Sequence, residues 1–192
     1  MARALAGLLL ALAVALPAQA DFEAGVAAAR TGDYATALRE WQPVAEGGNR
    51  DAQFNLGLLY ENGFGVAADA AEAARWYRRA AEQNDRTAQA YLAEMYANGV
   101  GVGRNDIEAL RWYRAAAERG HAASQYNVGL FYAMGRGVPP SDIEAVAWIT
   151  VALENGAPHT EILDVLKANM DPRRLREAQR LVDDVRRLCR LE

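Results

Sequence analysis

Three glycine turns, Gly63-Phe64-Gly65, Gly99-Val100-Gly101 and Gly135-Arg136-Gly137, each stand ahead of a helix-forming run. A chain can cradle a phosphate on backbone amides at such a position. Phosphate binding asks for more. A dinucleotide fingerprint has a third glycine and a preceding strand, and a P-loop closes on Gly-Lys-Ser/Thr; neither pattern is present. Nucleophilic chemistry has equally few parts: His121 and His159, Ser124 and Ser141, and the single cysteine, Cys189. The two histidines fall in links between helices, with no cysteine or carboxylate at ligand spacing, which makes a poor zinc set. A glycosidase-like carboxylate pair would have to come from Glu72, Glu108, Glu144, Glu82, Glu118 or Glu154, all near helix ends. The expectation is a non-enzymatic protein without catalytic residues, metal or cofactor.

The elements around these residues repeat. Trp76, Trp112 and Trp148 recur every 36 residues, as do Gly65, Gly101 and Gly137, and Tyr60, Tyr96 and Tyr132. The period divides the chain into units 51–86, 87–122 and 123–158, the mark of a stacked repeat array. Each unit reads as two helices. On the first, Gln53, Leu56, Gly57 and Tyr60 share a face, matched by Gln89, Leu92, Ala93 and Tyr96, and by Gln125, Val128, Gly129 and Tyr132. On the second, Ala80, Ala116 and Ala152 permit close crossing, and each tryptophan fills volume between units. Gly63, Gly99 and Gly135 suit a left-handed residue that ends the first helix. Val66, Val102 and Val138 are expected in the core. Asp69, Asn105 and Ser141, each three residues ahead of Glu72, Glu108 or Glu144, read as capping boxes.

The run Ala-Gln-x-x-Leu-Gly-x-x-Tyr-x-x-Gly-x-Gly-Val, then Asp-x-x-x-Ala-x-x-Trp-Tyr-x-x-Ala-Ala-Glu-x-Gly, resembles Sel-one-like repeats, tetratricopeptide-related helical hairpins. The resemblance covers residues 51–158. Departures are Ala93 for glycine, Asn84 for the closing glycine, Ile149 for the aromatic after Trp148, and Ala70 where later units have Asp106 and Asp142. It implies an all-α fold, a right-handed α-α superhelical solenoid of about four hairpins with a C-terminal capping helix pair. Some family members carry a disulfide in each repeat; with one cysteine, this chain cannot. Implied roles are scaffolding, assembly or signalling. The alternatives are an enzyme that binds cell-wall ligands or β-lactams, and a secreted host-directed effector.

The ends depart from the period. Arg3, a short apolar run and Ala18 to Ala20 read as a signal peptide over residues 1–20, cleaved after Ala20, which implies a periplasmic or secreted protein. Residues 21–50 read as a degenerate hairpin, with Pro43 expected to bend its second helix. Residues 159–192 read as capping helices, the first capped by Thr160, the second opening on Asp171 and Pro172. The second has an inner stripe of Leu175, Ala178, Gln179, Val182, Val185 and Leu188 or Cys189.

A formal net charge of -4 leaves no general basic face for nucleic acid or anionic lipid. The remaining surface is the outer row of the first helices, which lines a groove in related arrays. In the first unit it holds Asn55, Leu58 and Asn62, in the second Tyr91, Glu94 and Asn98, in the third Asn127, Leu130 and Met134. Amides both donate to and accept from a peptide backbone, and the apolar residues add contact area. The expected partner is a protein or peptide of the cell envelope; Leu58 and Leu130 alternatively pack on a neighbouring helix.

Overall fold

The structure, a computed structural model, describes residues 21–158 and 161–189. Residues 1–20 with their expected signal segment, and His159, Thr160 and Arg190, lie outside the described residues. The described residues form ten helices and no strand: α1 (Phe22–Arg30), α2 (Tyr34–Glu46), α3 (Arg50–Asn62), α4 (Ala70–Glu82), α5 (Arg86–Asn98), α6 (Asp106–Glu118), α7 (Ala122–Met134), α8 (Asp142–Glu154), α9 (Ile162–Ala168) and α10 (Pro172–Leu188). From α1 to α8 each helix packs on its chain neighbours, which gives four consecutive hairpins. Helix α2 runs through Pro43 and continues to Glu46.

The turns recur because their backbone requirements recur. Gly63, Gly99 and Gly135 end α3, α5 and α7 with φ of 69, 72 and 67°, a conformation glycine adopts without steric cost. The side chains of Asp69, Asn105 and Ser141 then accept the first free N–H groups of α4, α6 and α8. Only half of the expected capping box forms. The backbone N–H groups of Asp69, Asn105 and Ser141 donate not to a glutamate but to the carbonyls of Tyr60, Tyr96 and Tyr132, each at 2.9 Å. That bond closes the turn between the two helices of a unit. Glu72 and Glu108 turn outward to Arg75 and Arg111 instead.

The core is built on small residues. Ala80, Ala116 and Ala152 are fully buried, and Trp76, Trp112 and Trp148 are buried between helices. A Cβ on Gly57 would meet the Tyr77 ring at 2.4 Å, and one on Gly129 would meet Ile149 at 2.5 Å. The absent side chains therefore set how closely α3 meets α4 and α7 meets α8. Val66, Val102 and Val138, expected in the core, are half-buried, and Val102 packs against the edge of the main core. Tyr60, Tyr96 and Tyr132 are likewise half-buried at the edge of their face.

A polar ladder joins the units. Gln53, Gln89 and Gln125 are buried, and each donates its amide to an alanine carbonyl in the last turn of the preceding helix: Ala45 at 2.9 Å, Ala81 at 3.0 Å and Ala117 at 3.0 Å. Helix-terminal carbonyls need such partners. The ladder explains why glutamine, a polar residue, holds this core position.

At the C-terminal end α10 packs on α8. Arg174 reaches Asp142 at the start of α8 at 3.0 Å, and Arg186 reaches Glu154 at its end at 2.5 Å. These two pairs set α10 parallel to α8, with α9 as the connection that makes this possible. Ala178, Val182 and Val185 are buried and close the core. Gln179, expected on that stripe, is exposed. At the last position it is Cys189, half-buried, and not the exposed Leu188 that completes the stripe. Helix α9 begins at Ile162 after Glu161, which supplies no side-chain cap; the expected cap Thr160 lies outside the described residues.

Candidate functional site

One pair in the structure has the outline of a nucleophile and its base. His121 Nδ1 lies 2.8 Å from Ser124 Oγ. Both belong to the N-terminus of α7, where His121 is the capping residue and its Nδ1 also accepts the Ser124 N–H at 3.2 Å. Ser124 is fully buried, so no substrate reaches its hydroxyl. Burial, assisted by the positive charge of Arg86, lowers the imidazole pKa and keeps it neutral, the form in which Nδ1 can accept. The pair is a helix cap. Among the described residues no group of three or more His, Cys, Asp or Glu is placed to hold a metal.

The outer row of the first helices reaches the surface throughout. Asn62, Glu94, Asn98 and Met134 are exposed; Asn55, Leu58, Tyr91, Asn127 and Leu130 are half-buried. Leu58 and Tyr91 pack partly against the main core. Asn62 donates its amide to the Leu58 carbonyl at 2.9 Å, within its own helix. The structure draws Tyr91, Glu94 and Asn98 into one shallow cleft, with Glu61, Met95 and Val100 as further walls. Asn55, Leu58, Asn62, Asn127, Leu130 and Met134 do not line it.

The cleft is backed by aromatic rings. Phe54, Tyr77 and Tyr91 contact one another with centroids 5.1 to 5.7 Å apart, which ties α3, α4 and α5 together under it. The Tyr77 hydroxyl donates to Glu61 Oε2 at 2.5 Å. Burial first, and then that carboxylate, push the Tyr77 pKa far up, so it remains a donor at any physiological pH. Tyr113 is pushed up to about 12 by burial and by the charge of Glu94. The six walls hold two carboxylates and no cation. Glu61 escapes helix-face arithmetic because it sits one position short of the outer row at the end of α3. Its signal is the tyrosine sixteen residues later, which the sequence cannot place beside it.

Matching hairpins, packed in chain order and capped by α10, define a helical-repeat solenoid. The Sel1 repeat model matches residues 50–85, 87–121 and 122–156, and the chain belongs to the Sel1 repeat family, typically protein–protein interaction scaffolds. Among solved structures, a Sel1 repeat protein from Oxalobacter formigenes is 29% identical, with a TM-score of 0.73 over 85% of this chain and 75% of that one. The fold also matches c5321, a protective antigen of uropathogenic Escherichia coli strains with an SLR fold, at 24% identity and a TM-score of 0.66. That match covers 85% of this chain and 40% of the other. No curated protein gives a significant match. Among the described residues no helix is long and apolar enough to cross a membrane.

Proposed function

We propose that the protein is an exported adaptor that docks a protein or peptide partner along the outer row of its first helices. The observation that carries this reading is the cleft of Glu61, Tyr91, Glu94 and Asn98, rigidly backed by the Phe54–Tyr77–Tyr91 rings. Aromatic faces and adjacent carboxylates favour a cationic side chain. Asn98 offers an amide to a peptide backbone. Past the cleft, Leu130 and the exposed Met134 add apolar contact for the next partner residues. Export rests on Arg3, the apolar run after it and the small residues Ala18 to Ala20; it sets the expected partner in the periplasm or beyond.

Two experiments test the reading. Residues 21–192, immobilised and exposed to envelope extract, should retain a partner that Glu94→Arg does not, with the helical content of the two proteins equal. Equal retention by both would remove the cleft from the function. Edman sequencing of protein recovered from the envelope should start at Asp21; recovery of the chain solely from the cytoplasm with Met1 intact would refute export.

A further inference from the structure

Helix α10 turns Ala178, Val182 and Val185 into the core. On the side away from them stand Arg173, Arg176, Arg180 and Arg187, all exposed. The last three follow the first by three, seven and fourteen residues, which sets all four in one row of the helix surface, about 21 Å long. Arg173, Arg176 and Arg180 line one shallow notch together with Glu177. Arg187 is paired with Asp184. Among the described residues the other three guanidiniums make no ion pair or hydrogen bond, and neither does the Glu177 carboxylate.

This row opposes the helix that carries it. Arg173 and Arg176 are three residues apart, and Arg176 and Arg180 four apart. Side chains meet at those spacings, and like charges there destabilise a helix. Arg173 also stands in the first turn, where the helix dipole disfavours a cation. The first turns of α4, α6 and α8 follow the dipole, with Glu72, with Asp106 and Glu108, and with Asp142 and Glu144; that of α10 holds no acid. In α4 and α6 the exposed Arg75 and Arg111 each find a glutamate three residues back, at 2.6 and 2.7 Å. Arg174 has a part in the fold, since it reaches Asp142. No contact of α10 calls for arginine at positions 173, 176 and 180. Closing a solenoid asks only for a polar outer face, and local choices that oppose the fold concentrate at sites of function.

We propose that the outer face of α10 is a second docking surface, for an acidic segment of a protein partner. Charge complementarity selects the occupant. Guanidiniums left without a counter-charge, in a protein of formal net charge -4, favour carboxylates, which an arginine holds through two parallel N–H groups. The row is one helix wide and is bordered by Glu177, Asp183 and Asp184. A narrow acidic segment lies along the arginines, whereas a broad anionic surface such as a bilayer is pressed against those carboxylates as well. The inference goes beyond the adaptor reading and is independent of it, because it uses none of the outer-row residues.

The test is fluorescence anisotropy of a labelled hexaglutamate peptide titrated with residues 21–192, at low and at physiological salt. Saturable binding that weakens with salt is expected. Arg176→Glu should weaken it at least tenfold and raise the melting temperature, because the new carboxylate relieves both like-charge contacts and can pair with Arg173 and Arg180. Arg30→Glu makes the same change of net charge on the exposed surface of α1, and should leave binding within about twofold of wild type. No saturable binding, equal losses in the two variants, or a melting temperature lowered by Arg176→Glu would overturn the proposal. So would binding to phosphatidylglycerol vesicles without binding to the peptide.

Discussion

Gly101 lies against the backbone of Ala70 so closely that a Cβ on the glycine would stand 2.1 Å from the alanine carbonyl oxygen. The same approach recurs one unit either side, Gly65 against Tyr34 and Gly137 against Asp106. Each turn is thus seated on the first turn of the second helix in the preceding unit, and the seat fixes how units stack. Gly101 also has a φ of 68°. Gly101→Val should therefore lower stability by at least about 3 kcal/mol, from overpacking and left-handed strain together. Gly103→Ala, where a Cβ meets nothing within 4 Å, should melt as wild type. Thermal unfolding by circular dichroism distinguishes the two.

Trp112 is buried in the central core, and the Arg111 guanidinium stands 4.1 Å from its ring centroid. Trp112→Ala should cost roughly 3–5 kcal/mol in urea unfolding, in the range of large core truncations. Because repeats are stabilised chiefly through neighbours, the loss should broaden or split the transition. A single unchanged transition would contradict the packing described.

The His121 cap makes stability depend on pH. Its folded pKa lies below the ordinary value of 6.5, from burial and then the Arg86 charge, so the unfolded chain takes up the proton first. The stabilising contribution is complete above about pH 6.5 and is lost as the pH falls through that value toward the folded pKa. Melting temperature should drop between pH 7.5 and 5.5, and His121→Asn, which keeps a capping acceptor, should flatten the drop.

Asn127→Ala should leave the fold intact, since its side chain is only half-buried, and should weaken partner retention less than Glu94→Arg. Retention by the two variants in parallel, measured on the same extract, orders their contributions. A larger effect of Asn127→Ala would move the centre of the docking surface to α7.

The helical repeats were legible because each unit states the same pattern: the Trp76, Trp112 and Trp148 spacing alone sets the register. Individual contacts were less so. The capping boxes looked complete in sequence, yet the N–H of Asp69 has a carbonyl, that of Tyr60, within reach, and a backbone acceptor leaves no residue-type signal. Gln53, Gln89 and Gln125 were legible as inward-facing, but not what they bond, for the same reason. Tyr91, Glu94 and Asn98 were identifiable from helix arithmetic, whereas Glu61 joins them through Tyr77 on another helix.

The most direct measurement is site-specific photo-crosslinking in cells, with the photoreactive residue at Asn98 in the cleft or at Arg75 on the exposed side of α4. The account expects a discrete adduct from Asn98 and none from Arg75, with the Asn98 adduct lost when Glu94→Arg is added. The same adducts from both positions, or no adduct from Asn98, would contradict a docking surface on the first helices.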